Sequence, residues 1–280
     1  MHNLHHLRIL KKEGKIGLIG LTNTDAAHLQ LLLDSGFPIA TNQVSTNVID
    51  RRLTRGRLNE LCTERNVGIL AYGTLLGGFI SEKWLGQPEP VALEDLNWSL
   101  RKYLRFIHAA GGWQIFQGVL QALQVVAQRH HVEIPAIATR YVLDIPSVKA
   151  VIVGSRLSAD SERYIERNMQ VFQVRLTKED IDVIHKAQEP LRDIPGDCGD
   201  EYRRAPFLTT TGDTSQHIKP LGNLNGVREA IAAGKRVELS SGSKWEPIAV
   251  SSSHNTTSHV GSPSYSQALR VTVVPFGRET

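Results

Sequence analysis

Stretches with strand character alternate with stretches of helical spacing along most of this chain, and that alternation limits the fold more than any other feature. Residues 16–21 form a continuous apolar run, Ile16-Gly17-Leu18-Ile19-Gly20-Leu21, the pattern of a strand buried on both faces. Residues 39–44, 67–72 and 148–153 read as further strands. Helical patterns lie around them. Residues 4–14 put Leu4, Leu7 and Leu10 on one face and end on Gly14; residues 24–33 are opened by Thr24-Asp25 and closed by Gly36; residues 54–65 follow. Residues 113–129 carry Phe116, Val119, Leu120, Leu123 and Val126 at helical spacing. Residues 135–143 start on a proline suited to a first turn, residues 159–168 form a further helix, and Thr177 caps one more. Residues 73–112, rich in Gly, Pro and Trp, read as irregular.

Strands that alternate with helices imply parallel βα units. The reading is therefore an α/β chain forming an incomplete (β/α)8 TIM barrel, because four such units are half of that design and cannot close on themselves. From residue 190 the composition turns polar and aperiodic, so residues 190–234 read as a linker, and an irregular, largely disordered tail follows. Residues 271–274 are compatible with a short strand. A hydrophobic fraction of 41% over 280 residues suits a globular core. The net charge of +4 comes without a basic block, which argues against a nucleic-acid partner. No apolar run spans a bilayer and the first residues lack the apolar core of a secretory signal, so a cytoplasmic location is expected. Cys62 and Cys198 stand far apart and outside any metal spacing, which excludes a disulfide scaffold and a metal site as expectations.

In a parallel barrel the chemistry sits at the strand C-terminal ends. Here those ends read Thr22-Asn23, Asn42-Gln43, Tyr72-Gly73-Thr74 and Gly154-Ser155-Arg156. Side-chain amides both donate and accept and suit a carboxamide, an aromatic ring suits stacking on a flat heterocycle, and an arginine beside a helix start suits a phosphate monoester. The glycines of residues 73–78 let backbone approach a pyrophosphate. The stretches Gly14-Lys15-Ile16-Gly17-Leu18-Ile19-Gly20-Leu21-Thr22-Asn23, Asn42-Gln43-Val44, Ala71-Tyr72-Gly73-Thr74-Leu75-Leu76-Gly77-Gly78 and Val151-Ile152-Val153-Gly154-Ser155-Arg156-Leu157 resemble, in order and spacing, the C-terminal half of aldo-keto reductases. The resemblance assigns residues 1–189 to a partial domain of that family and implies an NADP(H)-dependent oxidoreductase acting on small aldehydes or ketones. It implies that Asn23 and Gln43, with Thr22, hold the nicotinamide carboxamide and that Tyr72 stacks on the nicotinamide ring. It also implies that Gly73, Thr74, Leu75 and Gly77 line the pyrophosphate, that Gly154, Ser155 and Arg156 hold the 2′-phosphate, and that Asn168 meets the adenine. Arg167 stands where the family usually has an acidic residue.

The family's proton-donating tyrosine, with its lysine, aspartate and histidine, comes from strands that precede those found here, and none of Tyr103, Tyr141 or Tyr164 falls on a strand end. No catalytic residue is therefore assigned, and the alternative is a non-catalytic remnant that binds nucleotide weakly or serves as an interaction partner. Farther on, Ser241-Gly242-Ser243-Lys244-Trp245-Glu246-Pro247-Ile248-Ala249 and Tyr265-Ser266-Gln267-Ala268-Leu269-Arg270-Val271 resemble the start of a Rid-type (YjgF, endoribonuclease L-PSP-like) domain, which places residues 235–280 in a partial Rid-like segment interrupted at residues 250–264. The absent front and the interrupted tail together lead to the expectation of an imperfect gene model or a decayed gene. Half a barrel would leave two strand edges open to pairing. The isolated chain is expected to self-associate through those edges, as read by size-exclusion chromatography with light scattering; a monodisperse, cooperatively melting monomer overturns this.

Overall fold

β1 (Ile19–Thr22), β2 (Ile39–Ser45), β3 (Gly68–Tyr72) and β4 (Val148–Val153) lie side by side in chain order and run parallel in a computed structural model that describes residues 2–91, 96–154, 161–203 and 272–273. The helices before β3 are α1 (His2–Lys12), α2 (Ala26–Asp34), α3 (Arg52–Arg55) and α4 (Leu58–Glu64). Those after it are α5 (Trp98–Ala109), α6 (Trp113–His130), α7 (Ile134–Leu143), α8 (Ser161–Met169) and α9 (Lys178–Gln188). A two-residue strand, β5 (Thr272–Val273), pairs antiparallel with the end of β4. The rest of the segment read as Rid-like lies outside the described residues, as do residues 204–234.

The strands are buried on one face rather than on both. Val44, Ile69, Ala71, Val151 and Val153 face a core that includes Leu29 of α2, Leu58 and Leu61 of α4 and Val142 of α7. Each Val, Leu or Ile side chain among these contributes about 1.5–3 kcal/mol when taken out of water. The alternate residues Thr41, Gln43, Leu70, Tyr72 and Ile152 remain half-exposed, because among the described residues no layer fully covers that face. Register aligns the strand ends: Thr22 lies opposite Gln43 and Ser45 opposite Tyr72.

Two element readings change. Residues 54–65 are not one helix, since Gly56 is extended and divides α3 from α4. Residues 73–112 are not wholly irregular. Asn97 accepts a hydrogen bond from the Leu100 N–H and starts α5, whose Leu100, Tyr103, Leu104, Phe106 and Ile107 are buried. α5 builds a second, helix-rich core with α6, α7 and α9 around Phe79, Phe106 and Phe116.

The stretch read as a linker is also corrected over residues 190–203, which pack onto the folded unit. Arg51 donates to the carbonyl oxygens of Gln188 (3.2 Å) and Leu191 (3.0 Å) and to the Asp193 carboxylate (2.8 Å). Asp197 accepts from the Ala26 N–H at 2.9 Å, at the start of α2. Arg52 lies between Asp50 (2.7 Å) and Glu201 (2.7 Å), with side-chain exposures of 3%, 1% and 0% for the three groups. Hydrophobic periodicity misses this segment because polar and charged groups fix it. The Cys62 and Cys198 thiols are both free and buried, and burial pushes the Cys62 thiol up to about 12.

α9 begins with a capping box in which Thr177 and Asp180 satisfy each other's backbone N–H groups. Burial by itself would raise the Asp180 carboxyl, but hydrogen bonds from His130, Thr177 and Arg129 outweigh it and hold the group well below the usual carboxylate range. A depressed folded pKa contributes stability that is complete above the unfolded value, ~4, and is lost as pH falls through the folded one. Urea unfolding between pH 6 and pH 2.5 should therefore show a shallower acid loss for Asp180→Asn than for the wild type; parallel curves would refute the assignment. Truncating Glu201 leaves the buried Arg52 short of a partner, so Glu201→Ala should lose about 3–5 kcal/mol in the same measurement.

Candidate functional site

The aligned ends of β1, β2 and β3 bring together four of the residues singled out from sequence. Thr22 sits at the end of β1, its hydroxyl 3.4 Å from the Gln43 carbonyl oxygen. Asn23 follows in the left-handed region at φ 52°, where asparagine is among the most tolerant non-glycine residues, and its N–H donates to the Gln43 carbonyl at 2.8 Å. Gln43 and Tyr72 share the half-exposed face of the sheet. Asn42, adjacent in sequence, is on the other face and fully buried, and its amide ties down Thr24 through the backbone N–H (3.3 Å) and carbonyl (2.7 Å). One strand-end amide is thus structural, while the next is presented to the open side.

The Tyr72 hydroxyl lies 2.8 Å from Asn23 Oδ1 and 3.0 Å from the Tyr202 hydroxyl. Burial raises the Tyr72 phenol far above its ordinary range, and the neighbouring Tyr202 and Glu201 add to this, so it remains a protonated donor. Lys102 of α5 donates to the Tyr202 hydroxyl at 2.6 Å and sits over the rings of Tyr202, Tyr103 and Tyr72 at 4.6, 5.3 and 5.8 Å. The sequence reading did not select Lys102 or Tyr202. Lys102 belongs to the helix that reading passed over, although Asn97 as a cap and the Leu100, Leu104, Ile107 spacing announce it. No local signal marks Tyr202.

The glycine loop after β3 packs closely against α5. Gly73 (φ 67°) and Gly77 (φ 66°) have positive φ, and a Cβ at either would collide with α5: with the Tyr103 hydroxyl at Gly73 and with Ser99 at Gly77. The close approach that these glycines allow is therefore taken up by α5. Thr74 is buried and Leu75 packs on the helix-rich core, whereas Gly78 has open space where its Cβ would be.

The remaining expected residues do not join this group. Gly154 is exposed just past β4, and Ser155 and Arg156 lie outside the described residues. Asn168 on α8 lines a mainly apolar groove with Pro135, Thr139, Val151 and Val153, on the helix-covered side of the sheet opposite Gln43 and Tyr72. Arg167 pairs with Glu133 at 2.6 Å. Among the described residues no cluster of His, Cys, Asp and Glu is arranged to hold a metal ion, and no helix is long and apolar enough to cross a membrane.

Residues 3–189 match the model of the aldo/keto reductase family. Flagellar radial spoke protein 5 of Chlamydomonas reinhardtii is 32% identical over 133 residues, 46% of this chain and 25% of that protein. Prostaglandin-E(2) 9-reductase of Oryctolagus cuniculus is 24% identical over 200 residues, 70% of this chain and 51% of that protein. The chain thus spans about half the length, or less, of these relatives. A solved glycerol dehydrogenase from Gluconobacter oxydans superposes with a TM-score of 0.50 at 20% identity, over 69% of this chain and 55% of that one, and shares its fold. An α/β fold with a parallel sheet similar to the barrels of these reductases, strand-end amides and a family match over most of the described residues lead to one statement: the chain belongs to the aldo/keto reductase family.

Proposed function

We propose that this chain carries the cofactor-binding half of an NADP(H)-dependent reductase of small aldehydes and ketones, with β1 to β4 equivalent to strands five to eight of an eight-stranded barrel. The observation that carries the reading is the convergence of the Asn23 amide, the Gln43 amide and the Tyr72 ring at aligned strand ends on the open face of the sheet. These groups fit a nicotinamide. The Gln43 side chain makes no hydrogen bond among the described residues, so both its donor and its acceptor are available to a carboxamide. The Tyr72 ring, held at its hydroxyl by Asn23, offers a flat surface for stacking.

In this reading Asn23, Gln43 and Thr22 orient the carboxamide and Tyr72 supports the ring. Gly73, Thr74, Leu75 and Gly77 shape the loop beside the pyrophosphate, with Gly154, Ser155 and Arg156 at the 2′-phosphate and Asn168 toward the adenine. NADPH, when bound, supplies the hydride. What the chain's own residues do is orient the nicotinamide and keep one ring face against Tyr72. Family membership and the order of the strand-end motifs support this reading. The same view makes the outer edge of β1, and the part of β4 that β5 does not pair, the route by which the chain pairs with a complementary half or with itself, in the cytoplasm.

NADPH fluorescence titration, followed by a carbonyl-reduction assay, tests the proposal. The wild type is expected to bind NADPH. Arg156→Ala should weaken NADPH by about tenfold or more, the loss of a charge-assisted hydrogen bond, while leaving NADH affinity unchanged. No NADPH binding, or equal NADPH affinity in the two proteins, refutes it. Binding with no turnover identifies the chain as a nucleotide-binding remnant.

A further inference from the structure

The polar groups around Tyr72 form a directed series. At one end the Lys102 ammonium can only donate, and it donates to the Tyr202 hydroxyl at 2.6 Å. At the other end Asn23 Oδ1 can only accept, and it lies 2.8 Å from the Tyr72 hydroxyl. The two phenols are 3.0 Å apart. Each phenol has one hydrogen. Tyr72 uses its own on Asn23, so it accepts from Tyr202, which in turn accepts from Lys102. A cation at the head of such a series strengthens every bond along it. Lys102 has no carboxylate partner among the described residues, and aromatic faces surround it instead.

The segment that delivers Tyr202 also grips Asn23 itself. Arg203 donates to the Asn23 carbonyl oxygen and pairs with Asp25 at 3.0 Å. Gly199, at φ 86°, lies so close that a Cβ there would collide with the Asn23 carbonyl. Residues 197–203 therefore hold both the left-handed backbone of Asn23 and, through Tyr202 and Tyr72, the direction of its amide.

We propose that Lys102 and Tyr202 are positioning residues for the strand-end site: they fix the Asn23 amide with its oxygen toward Tyr72, leaving the Nδ2 hydrogens as donors to the carboxamide oxygen of a nicotinamide. The segment from 197 to 203 is then part of the cofactor site, and the ligand it serves is the nicotinamide end of the dinucleotide. This inference rests on the strand-end reading above, and its test separates the two.

Wild type, Tyr202→Phe and Lys102→Met are titrated with NADPH and with 2′,5′-ADP, which lacks the nicotinamide, after thermal melting shows that each variant is folded. Both variants should bind NADPH roughly 5- to 20-fold more weakly, with 2′,5′-ADP affinity unchanged. Undiminished NADPH affinity, or an equal loss for both ligands, overturns the proposal. If the wild type binds neither ligand, the cofactor reading fails, and the series is then judged on the ligand-free protein by NMR of tyrosines labelled with 13C at Cζ. Lys102→Met should move the Tyr72 and Tyr202 resonances together; a Tyr72 signal that does not move overturns the series by itself.

Discussion

Arg52 is the group on which the arrangement of this chain depends. Its guanidinium grips Asp50 through Nε and an amino nitrogen, at 2.8 and 2.7 Å, and reaches Glu201 at 2.7 Å and the Asp197 carbonyl at 3.1 Å. Its carbon lies 5.4 Å from the centre of the Phe106 ring on α5. One cation thus joins the loop after β2, the helix that carries Lys102, and the segment that carries Tyr202. A buried ion pair adds little net stability over a well-packed apolar substitute, but it penalises any arrangement that strips a partner from it. Its effect is to make one docking of residues 197–203 far better than the alternatives, and Tyr202 reaches Tyr72 only in that docking.

The strand ends obey a second constraint. Parallel pairing in register sets Thr22 beside Gln43 and Ser45 beside Tyr72, and the two-residue period of a strand then decides which amide meets the open face. Asn42 and Gln43 are chemically similar neighbours, yet one closes a loop and the other lies on the open face. The helices α2, α4 and α7 enforce the difference by covering only one side of the sheet. Gly73 and Gly77 illustrate the same dependence on packing, since α5 occupies the space that makes them glycine.

Much of the fold was legible because local rules and tertiary packing agreed. The four strands, the Asp25 and Thr177 caps, the proline at the start of α7 and the buried stripe of α6 all follow from periodicity and capping. α5 was hidden by the density of Gly, Pro and Trp around it, although its own spacing is regular. Residues 190–203 were hidden for a different reason: Arg51, Asp197, Arg52, Glu201 and Arg203 fix them through pairings across more than a hundred positions, and such pairings have no period.

By itself, the sequence determined the family, the parallel strands and the identities of Thr22, Asn23, Gln43 and Tyr72 at the strand ends, because these are properties of short segments and their order. Only the tertiary structure decided that Asn42 is structural, that the glycine loop is filled by α5, and that Lys102 and Tyr202 close on Tyr72. Those outcomes depend on which face a helix covers and on where a distant charge finds its partner, and a single segment of chain carries neither.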